Sequence, residues 1–302
     1  MFCWGAYDRV SAGHEIATRL ELDAPARFIA CGYDRDCAIR ESGDGDCWGE
    51  WIPDSLEPIR GPMRSVAVSY RPCFVDEHGA LLCHLDINWR SGTFARTELV
   101  AHGTSDVSAG EQFACAVVGA QVLCLGENHD GELGREPSGV VDWGAPGVVE
   151  ELAEVVDVAT GRRHACALRQ SGDVYCWGNN ERRQLGTSSP STSTPQRVEG
   201  LPLDVVSIDA FHNNSCALRA GGELICWGDN DFEQLTRDRH DSPLGPTRIE
   251  LDVRLVEVGV GGNFICGLDD ASQVWCWGRN HVGQLGADTR TTRGVPSRVL
   301  RP

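Results

Sequence analysis

Paired thiols are the groups in this chain whose type and spacing most directly support a reaction, their oxidation to disulfides. Six pairs recur: Cys37/Cys47, Cys73/Cys83, Cys115/Cys124, Cys166/Cys176, Cys216/Cys226 and Cys266/Cys276. Five are ten residues apart and the third is nine apart. A pair ten apart with a glycine-containing turn between its members is placed to meet across a β-hairpin. In Cys166-ALRQSGDVY-Cys176 the turn centres on Ser171 and Gly172. Cross-strand Cα separations of about 4.5–5.5 Å fall within the range a disulfide permits. Closing such a loop contributes roughly 2–3 kcal/mol in the chain-entropy picture, less any strain. The other reading is a stack of reduced, buried cysteines acting as small hydrophobes. Structural zinc is disfavoured, because Cys-x-x-Cys spacing is absent and the histidines do not follow the cysteines.

Intra-hairpin disulfides predict an oxidising compartment, with the chain extracellular, periplasmic or on a cell surface. Against this, the chain opens on MFCWG, which is already repeat sequence and carries no export signal ahead of it. Cys3 takes the second-cysteine position of a repeat whose first half is missing, so the chain is expected to start part-way through a unit. Cys31 is the arithmetic candidate to pair with it. No apolar stretch reaches eighteen residues, so no membrane-inserted helix is expected.

No catalytic set emerges. The sequence has no GxSxG elbow, HExxH helix, P-loop or dinucleotide fingerprint. His164 stands alone at its repeat position, where the other copies hold Phe113, Asn214, Phe264 and Arg35. Without a nucleophile or carboxylate in reach, strand packing or a backbone hydrogen bond accounts for it better than catalysis. The oxygen-rich stretches Glu127-Asn128-His129-Asp130 and Asp229-Asn230-Asp231-Phe232-Glu233 could attract calcium, yet lack the regular loop spacing. Solvated turns explain them better than calcium binding does. No catalytic, cofactor-binding or metal-ligating residue is therefore assigned, and no enzyme activity is expected.

The elements that must hold these residues are β-strands. In the fourth copy Val155, Val156 and Val158 begin one strand, 164–168 makes a second, and 174–177 a third after the turn at 170–173. A loop through Gln184-Leu185-Gly186 then leads to an extended 195–198 segment. Four short strands in a unit of about fifty residues describe a propeller blade. Trp48, Trp177, Trp227 and Trp277 follow the second cysteine, with Leu125 and His84 in two copies and Trp4 at the start. Glycine comes next, as Gly49, Gly126, Gly178, Gly228 and Gly278. Recurrence at one position predicts that the tryptophans pack between blades and that the glycines allow a strained backbone or a close approach. The triplet leucines Leu133, Leu185, Leu235 and Leu285 are expected to plug gaps between blades.

The unit resembles the RCC1 (regulator of chromosome condensation) repeat, in the cysteine-rich form of secreted or surface-associated bacterial proteins. VATGRRHACALRQSGDVYCWGNNERRQLG, ending at Gly186, and VGVGGNFICGLDDASQVWCWGRNHVGQLG, ending at Gly286, carry the resemblance. It covers nearly the whole chain, with the second copy weakest, where Tyr70-Arg71-Pro72-Cys73 and Cys83-His84-Leu85 depart from it. The resemblance implies one all-β propeller over 1–302, with hairpins centred on 37–47, 73–83, 115–124, 166–176, 216–226 and 266–276. It implies seven blade positions of four strands, one of them incomplete, and a ring closed by strands from both termini.

A formal net charge of −17, from 44 acidic against 27 basic residues, argues against a phosphate-contacting nucleic-acid surface and against anionic membranes. Arg162, Arg163, Arg182 and Arg183 are local basic spots, read as solvated loop charges. The dissimilar stretches 130–147, 187–195 and 237–246 are expected on one face, where loops vary over a fixed scaffold. The leading expectation is a non-enzymatic scaffold outside the cytoplasm that binds a protein or peptide on that loop face. Guanine-nucleotide exchange on a small GTPase, the activity of the family's nuclear founder, is the first alternative. Surface display without a ligand and a carbohydrate-active enzyme are the others.

Overall fold

The computed structural model describes residues 2–5, 14–19, 25–32, 35–49, 60–68, 71–88, 93–137, 142–238, 242–286 and 289–299. All of its regular structure is β. Strands β1 (Phe2–Gly5) and β2 (His14–Arg19) pair as a two-stranded ribbon. Blade one holds β3 (Ala26–Cys31), β4 (Arg35–Arg40) and β5 (Gly45–Gly49). Blade two holds β6 (Met63–Ala67), β7 (Cys73–Asp76), β8 (Leu81–Asn88) and β9 (Thr93–Ala101). Blade three holds β10 (Thr104–Ala109), β11 (Phe113–Val118), β12 (Gln121–Gly126) and β13 (Asp142–Val148). Blade four holds β14 (Val155–Thr160), β15 (His164–Arg169), β16 (Val174–Gly178) and β17 (Thr192–Arg197). Blade five holds β18 (Val205–Phe211), β19 (Asn214–Arg219), β20 (Leu224–Gly228) and β21 (Leu244–Arg248). Blade six holds β22 (Leu255–Val260), β23 (Phe264–Asp269), β24 (Val274–Gly278) and β25 (Arg293–Arg298).

Every blade is an antiparallel meander in sequence order. The second and third strands pair so that each cysteine pair lies directly opposite, as at Cys166↔Cys176. All six pairs are disulfides, with Cα atoms 4.0 to 4.2 Å apart. The nine-residue spacing has a local cause. In blade three Val118 pairs with Gln121, leaving the two-residue turn Gly119-Ala120 with φ of 57 and 65°, as a type I′ hairpin requires. In blade four the Arg169 N–H bonds the Asp173 carbonyl at 2.9 Å, leaving the three-residue turn 170–172 with Gly172 at φ 86°. The two turns differ by one residue, and so do the cysteine spacings.

First strands of successive blades pack on one another, β3 on β6, β6 on β10, β10 on β14, β14 on β18 and β18 on β22. They are the innermost strands of the propeller, and the core lies between blades. Trp177 of blade four is buried among Phe113, Leu133 and Val149 of blade three. Trp227 joins Leu185 and Val198 of blade four in the same way, and Trp277 joins Leu235 and Ile249 of blade five. Inter-blade packing of Trp177, Trp227 and Trp277, and of Leu133, Leu185 and Leu235, is therefore as the sequence predicts, whereas Leu285 packs on Cys276 and Val299 of its own blade. In the divergent copies Leu125 packs on Ala67, Leu81 and Cys83 of blade two, and His84 stands edge-on to Phe74 at 6.2 Å. The side chains of Trp4 and Trp48 lie outside the described residues.

The expectation of seven blade positions is corrected to six blades. Six sheets carry a disulfide-closed hairpin; five have four strands, and three strands of the first are described. Reading Cys3-Trp4-Gly5 as the third strand of a further blade requires a cysteine-bearing second strand beside it. Strand β1 pairs instead with β2, whose sequence HEIATR contains no cysteine. The Cys3 side chain lies outside the described residues, and with it the Cys3–Cys31 pairing.

Candidate functional site

Two sets of connections leave each blade at opposite ends. One end carries the short hairpin turns such as 170–173. The other carries the turn between first and second strands together with the long loop between third and fourth, at 127–137, 179–191 and 229–238 in blades three to five. This second end is the loop face expected from sequence.

Its loops are built by a repeated clamp. The glycine after each tryptophan or leucine has positive φ, 102° at Gly178 and 114° at Gly228. A Cβ at Gly178 would stand 2.5 Å from the Arg163 carbonyl oxygen, and one at Gly228 would stand 2.1 Å from that of Asn213. Both reasons advanced for glycine therefore hold at once. Two residues later comes a buried asparagine. Asn180 Oδ1 accepts the Leu185 N–H at 2.9 Å while its Nδ2 donates to the Thr187 carbonyl at 3.2 Å. Asn128 Oδ1 accepts from Leu133 at 3.2 Å, Asn230 Oδ1 from Leu235 at 2.8 Å and Asn280 Oδ1 from Leu285 at 2.9 Å. The main-chain carbonyl before each leucine then accepts the next blade's indole N–H. These bonds run from Trp177 to Glu132 at 2.9 Å, from Trp227 to Gln184 at 2.8 Å and from Trp277 to Gln234 at 2.9 Å. Each loop of blades three to five is thus folded on itself by asparagine and tied to the next blade by tryptophan.

The sequence reading missed the asparagines, taking Asn128 and Asn230 only as parts of oxygen-rich stretches. The signal was present, since Gly-x-Asn recurs at 126–128, 178–180, 228–230 and 278–280.

Charges on this face are paired across blades. Arg162 Nε lies 2.9 Å from Glu111 Oε2, Arg163 Nη1 lies 3.4 Å from Asp130 Oδ2, and Arg182 Nη1 lies 3.3 Å from Asp231 Oδ2. Arg279 lies over the Phe232 ring at 5.0 Å. Three arginines read as independent solvated charges are ties between neighbouring loops. The first turns are joined through the backbone as well, Glu111 N–H to Arg162 O at 3.3 Å and Arg162 N–H to His212 O at 2.7 Å. The result is a charged face whose loops are pre-ordered.

His164 lies beneath this face with no exposed surface. Its ring covers Gly161, where a Cβ would stand 2.0 Å from His164 Cε1, and its Nε2 meets Ser215 Oγ of blade five at 2.8 Å. Burial, and then His212, push its pKa down to about 3, so the ring is neutral. Its role is packing with a side-chain hydrogen bond, rather than the backbone bond considered from sequence. Glu132, in the clamp of blade three, has its pKa raised mainly by burial, while Oε2 accepts the Asp130 N–H at 2.6 Å. Among the described residues no group of three or more His, Cys, Asp or Glu is placed to hold a metal ion. The oxygens of Asn128 and Asn230 are instead occupied by backbone N–H groups.

Residues 155–184, 205–234 and 255–284 match a family model of the regulator of chromosome condensation (RCC1) repeat, and 171–218 and 272–302 match a second model of that repeat. Human E3 ubiquitin-protein ligase HERC2 is 30% identical over 243 residues, covering 67% of this chain and 5% of that protein. The secretion-regulating guanine nucleotide exchange factor of Mus musculus is 36% identical over 176 residues, covering 58% of this chain and 34% of that protein. The chain thus matches at most about a third of either relative's length. Prp20p from Saccharomyces cerevisiae, whose structure is described with its binding to Gsp1p and histones, superposes with a TM-score of 0.84 at 18% identity. That match covers 99% of this chain and 85% of Prp20p, and it shows a shared fold. The chain carries RCC1 repeats within 155–234 and 255–302, in a β-propeller fold.

These similarities overturn the expectation of a bacterial, secreted or surface-associated protein in an extracellular or periplasmic compartment. Similar proteins include a human ubiquitin ligase, a mouse exchange factor and a yeast protein whose structure is described with its binding to histones. The error was physical. Hairpin register alone brings the two cysteines of a pair together, so their meeting reports strand geometry and not the redox state of a compartment.

Proposed function

We propose that this RCC1-repeat propeller is a protein-recognition module whose loop face binds a small GTPase and promotes guanine-nucleotide exchange. The observation that carries the reading is the pre-ordered charged face formed by 127–137, 179–191 and 229–238, in a chain similar over 176 residues to a named exchange factor. Exchange needs a surface that binds the nucleotide-free GTPase more tightly than the loaded one. Loops fixed to two blades each lose little freedom on docking, so binding energy goes into that difference.

Release of a fluorescent GDP from a panel of small GTPases, with and without the full chain, tests the reading. Accelerated release at catalytic amounts of the chain is expected for at least one member, together with a stable complex when nucleotide is removed. Unchanged release across the panel and no nucleotide-free complex would end it. Similarity to a ubiquitin ligase favours one second reading, recognition of a protein partner without exchange. In that case affinity capture recovers a partner whose binding is indifferent to nucleotide.

A further inference from the structure

Neighbouring blades meet along their innermost strands, and side chains there reach sideways to the backbone of the next strand. Asp106 Oδ2 on β10 accepts the Val158 N–H at 3.1 Å. Asp157 Oδ2 on β14 accepts the Ile208 N–H at 2.9 Å, and Asp209 Oδ2 on β18 accepts the Val260 N–H at 2.6 Å. A neutral group can do the same work. Ser108 Oγ accepts the Thr160 N–H at 3.0 Å on the same seam as Asp106. Using carboxyls places acids along adjoining strands at the centre of the propeller.

The backbone N–H groups bonded to these carboxyls favour ionisation, but burial and neighbouring acids oppose it more strongly. Asp106 and Asp157 lie close enough for their side chains to interact, and two carboxyls so placed can share a hydrogen bond only when one keeps its proton. Within their own blades Asp106, Asp157 and Asp209 lie opposite Val117, Leu168 and the disulfide-bonded Cys216. Charged groups facing them from the packed strands are Arg64 on β6, Asp106 on β10, Asp157 on β14, Asp209 on β18 and Glu257 on β22. Among these groups Arg64 is the one cation. It acts on Asp106, and its guanidinium also bonds the Thr104 carbonyl.

We propose that the seams joining blades three to six are a proton-dependent latch, closed while Asp157 and Asp209 carry protons and loosened when they ionise. Asp157 is pushed up to about 7 by burial, then by the Asp106 charge; Asp209 is pushed up to about 7 by burial, with Glu257 adding to it. Both ordinary values are 3.8, so each group holds its proton in the fold after an unfolded chain has lost it. Their contribution to stability is fully present below about pH 3.8 and is lost as pH rises through about 7. Asparagine at either position preserves a carbonyl acceptor and removes the titration.

The test compares the full chain with Asp157→Asn and Asp209→Asn by denaturant unfolding across that window. For each lost titration, the wild-type unfolding constant is expected to rise relative to the variant's by up to about tenfold per pH unit. Amide exchange at Val158, Ile208 and Val260, corrected for intrinsic base catalysis, is expected to quicken with pH in the wild type. The Asp157→Asn variant flattens the rise at Ile208, and Asp209→Asn flattens it at Val260. Infrared spectra of the wild type at about pH 6 supply a measurement that needs no variant, because a protonated carboxyl band must be present. A wild-type-to-variant ratio that is flat with pH, or a spectrum without that band, overturns the proposal.

Discussion

Trp227 has no exposed surface, and its indole N–H is committed to the Gln184 carbonyl of the preceding blade at 2.8 Å. Trp227→Ala is therefore expected to cost about 3–5 kcal/mol in denaturant unfolding, through a cavity between two blades. Trp227→Phe keeps most of the packing and removes one of two donors to the Gln184 carbonyl, Ser215 Oγ being the other, so it should cost about 0.5–1.5 kcal/mol. His164 gives a prediction with a sign. Its pKa falls from 6.5 to about 3, so its contribution is present above about pH 6.5 and is lost as pH falls toward about 3. Replacing it by phenylalanine should flatten that acid-side loss, measured as unfolding midpoint against pH. The substitution fits because Phe113 and Phe264 cover Gly110 and Gly261 as His164 covers Gly161. Ser215 also keeps a partner, since its Oγ donates to the Gln184 carbonyl at 3.0 Å. This coupling was legible in the sequence, where a ring at that position accompanies glycine three residues earlier and Asn214 accompanies Phe211. The inner carboxyls were not legible. Asp106, Asp157 and Asp209 read as ordinary strand acids until strands about fifty residues apart are set side by side.

Hairpins were the most readable elements, because turn, register and cysteine spacing are one quantity seen three ways. Removing a disulfide as a pair, Cys166→Ala with Cys176→Ala, should cost roughly 2–3 kcal/mol by chemical denaturation, with the β15–β16 register unchanged in amide-exchange protection. Larger losses would mean that the sulfurs also fill space the alanines leave open, as Cys166 and Cys176 are both buried. Gly178→Ala tests the start of the loop. Positive φ and the Arg163 carbonyl together should make it worse than the 1 kcal/mol or so that αL strain alone imposes on alanine. The blade count was misread because a Cys-Trp-Gly string specifies a third strand only when a second strand lies beside it. That neighbour is a tertiary fact, and one strand's sequence does not contain it. The second copy deviates for a local reason, with His84 at the tryptophan position and Phe74 against it. The loop clamps escaped notice because asparagine serves equally well in solvated turns, and only burial separates the two uses.

At the scale of the whole molecule the propeller presents two faces with different charge arrangements, and the proposed partner must choose one. On the loop face Arg182 and Asp231 form an exposed ion pair across blades four and five. On the opposite face Arg197 pairs with Asp173 within blade four at 2.6 Å. Exposed pairs of this kind contribute at most about 1 kcal/mol, so reversing one charge alters the surface and leaves the fold in place. Arg182→Glu is therefore expected to shift the thermal midpoint little while weakening partner binding or nucleotide release. Arg197→Glu, the same chemical change at the other end of the blade, should leave both near wild type. Slower association with Arg182→Glu, more marked at low salt, would assign the effect to charge steering rather than to a lost contact. A loss of binding that followed Arg197→Glu and spared Arg182→Glu would move the interface to the hairpin-turn face. The ordered loops would then be explained by blade-to-blade cohesion alone.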